Sequence, residues 1–206
     1  MFKFSGRRTA RTELRFCPGY PGGMKYRNQS WSEGKEGVKE GFGLKHFKYL
    51  SYVLRHKWFV FVECCKHGIA WRGIIHDASK FLPSEWFPYV ENFYGEFGYK
   101  YNSPAKWTMP ICCKVKSDFD LAWLHHQKRN KHHWQWWILQ NDTDGLTIID
   151  MPLKYRKEML ADWIGAGIAI TGKRDIKEWY FKNKEKIQIH PNTRAWIEQQ
   201  LFGHEL

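Results

Sequence analysis

The chain has 206 residues, of which 43% are hydrophobic and 17% are aromatic. This length suits one well-buried core, and the aromatic content excludes a disordered chain, because such chains lack the apolar surface that offsets conformational entropy. The formal net charge of +12 favours an anionic partner, but it does not separate a nucleotide from nucleic acid or from plain solubility.

The predicted location follows from what the sequence lacks. No apolar run approaches the roughly 20 residues that span a bilayer, and no apolar segment of the kind found in secretory signals follows the basic N-terminus. The five cysteines form neither a C-x-x-C spacing nor an even disulfide framework, which favours reduced thiols. We therefore predict a cytoplasmic protein with no membrane segment.

Residues 1–43 are basic, rich in Gly and Pro, and without helical periodicity. We predict that they form an N-terminal arm outside the core domain, which then comprises residues 44–206. A solvated tail is the simpler interpretation of this arm, and contact with nucleic acid is the alternative.

Apolar residues at steps of three and four predict helices along most of the remaining chain. Gly68 and Gly172 are predicted helix ends, and Pro83 and Pro152 are predicted first-turn residues. The predicted helices cover 44–68, 71–80, a segment from 83, a segment from 117 or 118 to about 139, 152–172, 176–183 and 192–202. Residues 97–117 are predicted to form a long loop, and no convincing run of alternating strands is present. The predicted fold class is all-α.

Seven of the ten histidines lie between His56 and His133, together with the adjacent pair His76-Asp77. Imidazole and carboxylate groups are ligands for Mn, Fe, Co, Ni and Zn, and helical bundles supply such ligands from several packed helices. The clustering therefore predicts a divalent transition-metal site of one or two ions. Lys80, four residues after His76, would share its helix face and could hold a phosphate.

Two further segments could complete the site. If the helix over residues 125–133 is continuous, His126, Asn130 and His133 project from one side, and His125 with His132 from a neighbouring side. Surface histidines flanked by basic residues are the alternative interpretation.

Asp162 is followed along its predicted helix face by Gly165, Ala166 and Ala169, which would let another helix approach closely. A carboxylate on such a face needs a partner, either a metal or a core-facing arginine.

The order of these residues resembles the H…HD…H…H…D signature of the HD-domain phosphohydrolase superfamily. More closely, HDASKFLPSEWFPY, LHHQKRNKHHW, MPLKYRKEMLADWIGA and HPNTR look like an uncharacterised family of bacterial and phage proteins with no assigned substrate, over residues 44–202. The superfamily resemblance implies an HD-domain-like helical bundle that hydrolyses phosphate esters, with nucleotides as the commonest substrate class. It also implies one ion held by His56, His76, Asp77 and Asp162, and a second held by His126 with His132 or His133.

The implied mechanism is attack on phosphorus by metal-activated water. Asp77 would orient that water, Lys80, Arg129 and Lys131 would neutralise the phosphoryl oxygens, and Glu85 could carry a proton.

Two alternatives stay open at this point. One is a nucleic-acid-binding protein with a basic and aromatic surface around Lys131 and Trp134 to Trp137. The other is a non-catalytic metal-binding helical protein. The oligomeric state is left open.

Overall fold

A computed structural model describes the backbone of residues 42–95 and 110–203. Almost all of the predicted N-terminal arm and most of the predicted loop lie outside these ranges. Within them the chain is predominantly helical, which confirms the all-α prediction. The elements are α1 (Phe42–Lys66), α2 (Ala70–Ile75), α3 (Pro83–Tyr94), α4 (Pro110–Arg129), β1 (Ile138–Asn141), β2 (Gly145–Ile148), α5 (Leu153–Thr171), α6 (Lys177–Asn183) and α7 (Pro191–Phe202), with short 3-10 turns at Ala78–Phe81, Trp134–Trp137 and Lys184–Lys186.

The long helices α1 and α5 form the most extensive helix pair among the described elements. Gly165 lets them approach, because a Cβ at this position would lie 2.6 Å from Cγ2 and 2.9 Å from the backbone nitrogen of Val60. The predicted close approach after Asp162 is therefore confirmed. It brings the carboxylate of Asp162 on α5 next to His56 on α1.

Two main apolar clusters flank this helix pair. One joins Met159, Ile164 and Tyr180 with other residues of α5, α6 and α7. The other joins Tyr49 and Val53 of α1 with Tyr89 of α3 and neighbouring side chains. The clusters include residues of α1, α4 and α5, so that close packing holds these ligand-bearing helices in place.

The predicted helix over residues 71–80 is wrong, because the chain breaks at His76 and Asp77. α2 ends at Ile75, and Asp77 has a φ of 53° in the left-handed region, before a separate 3-10 turn begins at Ala78. A right-handed helix cannot pass through such a residue. His76 and Lys80 therefore do not share a helix face, and Lys80 contacts Asp77 instead.

The predicted helix over residues 117–139 is wrong at both ends. α4 begins at Pro110, inside the predicted loop, and ends at Arg129. Its end is capped by Asn130, whose backbone and side-chain nitrogen atoms both donate to the carbonyl of His126. The following residues turn back and form a β-hairpin, in which Ile138 pairs with Ile148, where no strand was predicted.

The other helix predictions are confirmed to within a residue or two. Pro83 occupies the first turn of α3, and Gly172 ends α5 with a φ of 75°, a conformation that glycine adopts without strain. Pro152 is the N-cap of α5 instead of its first helical residue. The division into an arm and a core domain stays a prediction.

Candidate metal centre

The seven predicted ligands come from five separate segments and meet in the interior. α1 supplies His56, the break after α2 supplies His76 and Asp77, and α5 supplies Asp162. His126 lies in the last turn of α4, and His132 and His133 follow in the turn beyond it. All are buried except Asp162 and His133, which are partly buried. Although the continuous helix was wrong, His126, His132 and His133 do converge, whereas His125 belongs to none of the ligand groups among the described residues.

The first group of ligand atoms consists of His56, His76, Asp77 and Asp162. Nε2 of His56 lies 3.2 Å from Oδ1 of Asp162 and 3.5 Å from Oδ2 of Asp77. Nε2 of His76 lies 3.4 Å from each of the same two oxygens and 3.4 Å from Nε2 of His56. These four atoms could hold one metal ion.

The second group consists of Asp77, His126, His132 and His133. Oδ1 of Asp77, the oxygen that the first group does not use, lies 3.2 Å from Nε2 of His126 and 3.4 Å from Nε2 of His132. Asp77 therefore faces a pair of imidazole nitrogen atoms with each of its oxygens. The sequence left His132 and His133 as alternatives, whereas the structure brings both into this group.

The donor set fits a transition metal. Two ligand atoms about 2.1 Å from one ion lie roughly 3.0–3.4 Å apart, close to the separations in the first group. In the second group, Oδ1 of Asp77 and Nε2 of His126, His132 and His133 are buried without a well-formed hydrogen bond to any described residue. Buried polar atoms normally have a partner, and a cation between them would be one.

Behind the ligands, Glu158 connects the two groups. Its Oε1 lies 3.3 Å from Nδ1 of His76 and 3.3 Å from Nδ1 of His132, and its Oε2 accepts a hydrogen bond from Arg72. A carboxylate behind a ligating histidine fixes the tautomer in which Nε2 is free to bind metal. Glu158, His76 and His132 also form a third group that could hold a cation, but their Nδ1 contacts suit hydrogen bonding.

Glu85 has the same relation to His126. Its Oε2 lies 2.8 Å from Nδ1 of His126 and accepts a hydrogen bond from Ser79, and its Oε1 accepts one from Arg129 at 2.6 Å. The Glu85 side chain is fully buried. The structure thus places Glu85 behind a ligand, and its predicted role as a proton carrier stays a prediction.

The three predicted phosphate-binding cations lie at different distances from the ligands. Lys80 is closest, because its Nζ donates to Oδ2 of Asp77 at 2.6 Å. Arg129 reaches the site only through Glu85. Lys131 is exposed, and its ammonium lies 4.8 Å from the ring centre of Trp136.

The charges of the site are strongly coupled. Burial raises the pKa of Asp77, but the opposing effect of His76, Lys80 and His126 is larger. The pKa of Asp77 therefore lies well below its usual range. Burial lowers the pKa of His76, but Asp77, Asp162 and Glu158 bring it well above the usual value. Burial and the neighbouring His132 keep the pKa of His133 low, which leaves its ring neutral, as a metal ligand requires.

Sequence reasoning missed the role of Glu158 and Arg72. The spacing of Glu158 and Asp162 by four residues places both carboxylates on one helix face, which was the available signal. Arg72 had no such signal, because only the packing of α2 against the other helices brings it to Glu158.

The fold and the site define a helical protein with a buried cluster of histidine and carboxylate side chains that could hold metal. The chain belongs to DUF5662, a family of unknown function, whose model matches residues 45–202. This match agrees with the resemblance to an uncharacterised family. No curated protein and no solved structure matches the chain. None of the described helices is long and apolar enough to cross a membrane.

Proposed function

We propose that the chain is a metal-dependent phosphohydrolase that acts on a phosphate ester, with nucleotides as the first substrate class to test. One observation carries the proposal: the two oxygens of Asp77 each face two imidazole nitrogen atoms of different ligand groups. A carboxylate so placed can be shared by two divalent ions, which is a common arrangement in phosphate-ester hydrolysis. The H…HD…H…H…D order of the ligands supports the same chemistry.

The side chains around the cluster have separate tasks in this proposal. Divalent ions, when bound, would supply a nucleophilic hydroxide near neutral pH. Glu158 and Glu85 contact Nδ1 of three histidines, which would leave the Nε2 atoms of these rings free to hold metal. Lys80 provides positive charge beside Asp77 for the phosphoryl oxygens. Arg129 and Lys131 stay candidates for contacts farther along the substrate.

The nucleic-acid-binding alternative receives less support from the aromatic residues after α4. Trp136 and Trp137 contact each other with ring centres 4.7 Å apart, and Trp137 also packs on Tyr155 and donates to the carbonyl of Lys131. Their rings are therefore partly engaged within the chain. A base-stacking surface would need these rings to be open.

The test compares the wild type with Asp77→Asn, because asparagine tolerates the left-handed conformation at this position and keeps the side-chain volume. Metal content is measured by elemental analysis, and phosphate release is measured on a panel of nucleotides with Mn, Co or Ni. We expect bound metal and hydrolysis of at least one nucleotide in the wild type, and loss of both in Asp77→Asn. Asp118→Asn, which alters an exposed carboxylate of α4, is the control and should retain both.

Three results would contradict the proposal in different ways. A wild type that binds metal but hydrolyses no phosphate ester would point to a non-catalytic metal-binding protein. A wild type that neither binds metal nor becomes active after metal addition would remove the metal chemistry altogether. Salt-dependent binding of nucleic acid that survives both chelation and Asp77→Asn would favour the nucleic-acid-binding alternative.

A further inference from the structure

Two buried tyrosine hydroxyls near the metal centre have no hydrogen-bond partner among the described residues. Tyr49 is 1% exposed and Tyr89 is 4% exposed, and the hydroxyl oxygen of each is buried. A buried hydroxyl without a partner lowers stability, and phenylalanine at the same position would avoid this cost. Each hydroxyl therefore lacks, among the described residues, the hydrogen-bond partner that a buried hydroxyl normally has.

Both tyrosines approach the site on elements that carry its functional residues. Tyr49 lies two helical turns before His56 on the same face of α1, and Tyr89 lies one turn after Glu85 on α3. The ring centres of the two tyrosines are 6.1 Å apart, and the ring centres of Tyr89 and His126 are also 6.1 Å apart, with the two planes at 63°. Tyr89 therefore packs beside the second ligand group, and Tyr49 packs against Tyr89.

Lys80 is the charged neighbour that the two tyrosines share. Nζ of Lys80 lies 2.6 Å from one oxygen of Asp77, and the other oxygen lies 3.2 Å from His126, on whose ring Tyr89 packs. The positive charge of Lys80 also acts on both phenols, in the direction that lowers their pKa. The Lys80 side chain is 13% exposed, and its Nζ uses one donor on Oδ2 of Asp77. An ammonium group has three donors, so two remain beyond that bond.

The tyrosines act as donors at neutral pH. A phenol has an ordinary pKa of about 10, so that a tyrosine hydroxyl carries its proton at neutral pH. Both hydroxyls therefore keep their protons, and together with Lys80 they offer an anion four N–H or O–H donors.

We propose that Tyr49, Tyr89 and Lys80 form a binding subsite for a terminal phosphoryl group beside the two metal-ligand groups. A terminal phosphoryl group presents three acceptor oxygens and close to two negative charges, which suits a partly buried ammonium and two hydroxyls. The inference rests on the proposed phosphohydrolase function and narrows its substrates to phosphate monoesters and terminal phosphates.

The experiment measures the binding of inorganic phosphate to the metal-loaded protein by calorimetry. Tyr49→Phe and Tyr89→Phe are each expected to weaken phosphate binding about tenfold or more, as for a lost hydrogen bond to a charged group. Metal content should not change, and the melting temperature should stay equal or rise, because the unbonded hydroxyl is gone. Lys80→Gln provides an independent variant of the same subsite and should weaken phosphate binding at least as much.

Tyr180→Phe is the matched control. Tyr180 is also buried, but its hydroxyl donates to Glu198 at 3.1 Å within another cluster. This variant should lose stability and keep wild-type phosphate affinity. The opposite responses separate a ligand-binding hydroxyl from a structural one.

The outcomes also separate this inference from the proposed function. Phosphate affinity that is unchanged in both Tyr→Phe variants would overturn the inference, because the hydroxyls would then face internal water, whatever the nucleotide panel shows. Weakened phosphate binding in a protein that hydrolyses no ester would support the anion subsite and reject the hydrolase. A metal-loaded wild type that binds no phosphate at millimolar concentration would overturn the subsite alone if esters are hydrolysed.

Discussion

Replacing Glu158 by glutamine should weaken metal binding in both ligand groups at once. Glu158 contacts Nδ1 of His76 in the first group and Nδ1 of His132 in the second, with the same carboxylate oxygen. Its pKa falls to about 2, because hydrogen bonds from the two histidines outweigh the effect of burial. The carboxylate is therefore charged at neutral pH, and the amide of glutamine would hold the two rings less firmly.

The expected size follows from the number of contacts. Loss of one partner behind a metal ligand typically costs 10–100-fold in metal affinity, or about 1.4–2.7 kcal/mol. Since Glu158 contacts one histidine of each group, we expect the affinity for each of two ions to fall by this factor. Competition with a chromophoric chelator for Mn, Co or Zn measures both binding steps.

Glu63→Gln is the matched control for Glu158→Gln. Glu63 is also a buried carboxylate paired with an arginine, Arg174, but it contacts no candidate ligand. Both variants should lose stability, whereas only Glu158→Gln should lose metal affinity. Equal metal affinity in Glu158→Gln and the wild type, or an equal loss in both variants, would refute the reasoning.

Two further predictions concern stability. Gly165→Ala should lower the free energy of unfolding by about 1–3 kcal/mol in thermal or urea unfolding, because the new Cβ meets the backbone of Val60. Gly43→Ala on α1 is the control and should be neutral or slightly stabilising, because a Cβ there meets nothing within 4 Å. Equal effects of the two substitutions would contradict the close approach of α1 and α5 at Gly165. The Glu63 pKa is lowered, because bonds from Arg174 and Lys66 outweigh the effect of burial. The pairing therefore contributes stability above the ordinary pKa of glutamate and loses it as the pH falls through the folded value. The stability difference between wild type and Glu63→Gln should be full at pH 7 and shrink below about pH 4, and a difference independent of pH would contradict this assignment.

The long helices could be predicted because their sequences repeat at the helical period and end in residues with fixed conformational preferences. Gly172 marks the end of α5 through its positive φ, and Pro83 marks the start of α3. The hairpin could not be predicted in the same way. Its strands are four residues each and include no long alternating run, and the Trp-rich segment before them also satisfies a helical pattern.

The ligand types were predictable from the sequence, but their arrangement was not. Histidine and aspartate at the predicted positions do converge, and the close packing of α1 and α5 at Gly165 brings Asp162 next to His56. Asp77 belongs to both ligand groups because of the directions of side chains from five segments. Spacing along the chain does not determine these directions. The histidines after α4 reach the site for a reason opposite to the predicted one, since the helix ends before them.

The predicted helices fail at two places, after α2 and after α4, and both of these segments supply candidate ligands. Asp77 directs one oxygen to His56 and His76 and the other to His126 and His132, and it lies just beyond the end of α2. The left-handed conformation of Asp77 ends α2 and turns the chain, so that the carboxylate lies between the two groups. Strain of this kind costs about 1–3 kcal/mol and persists where the surroundings determine the conformation. A glycine at position 77 would adopt this conformation without strain but would supply no carboxylate oxygen to either ligand group.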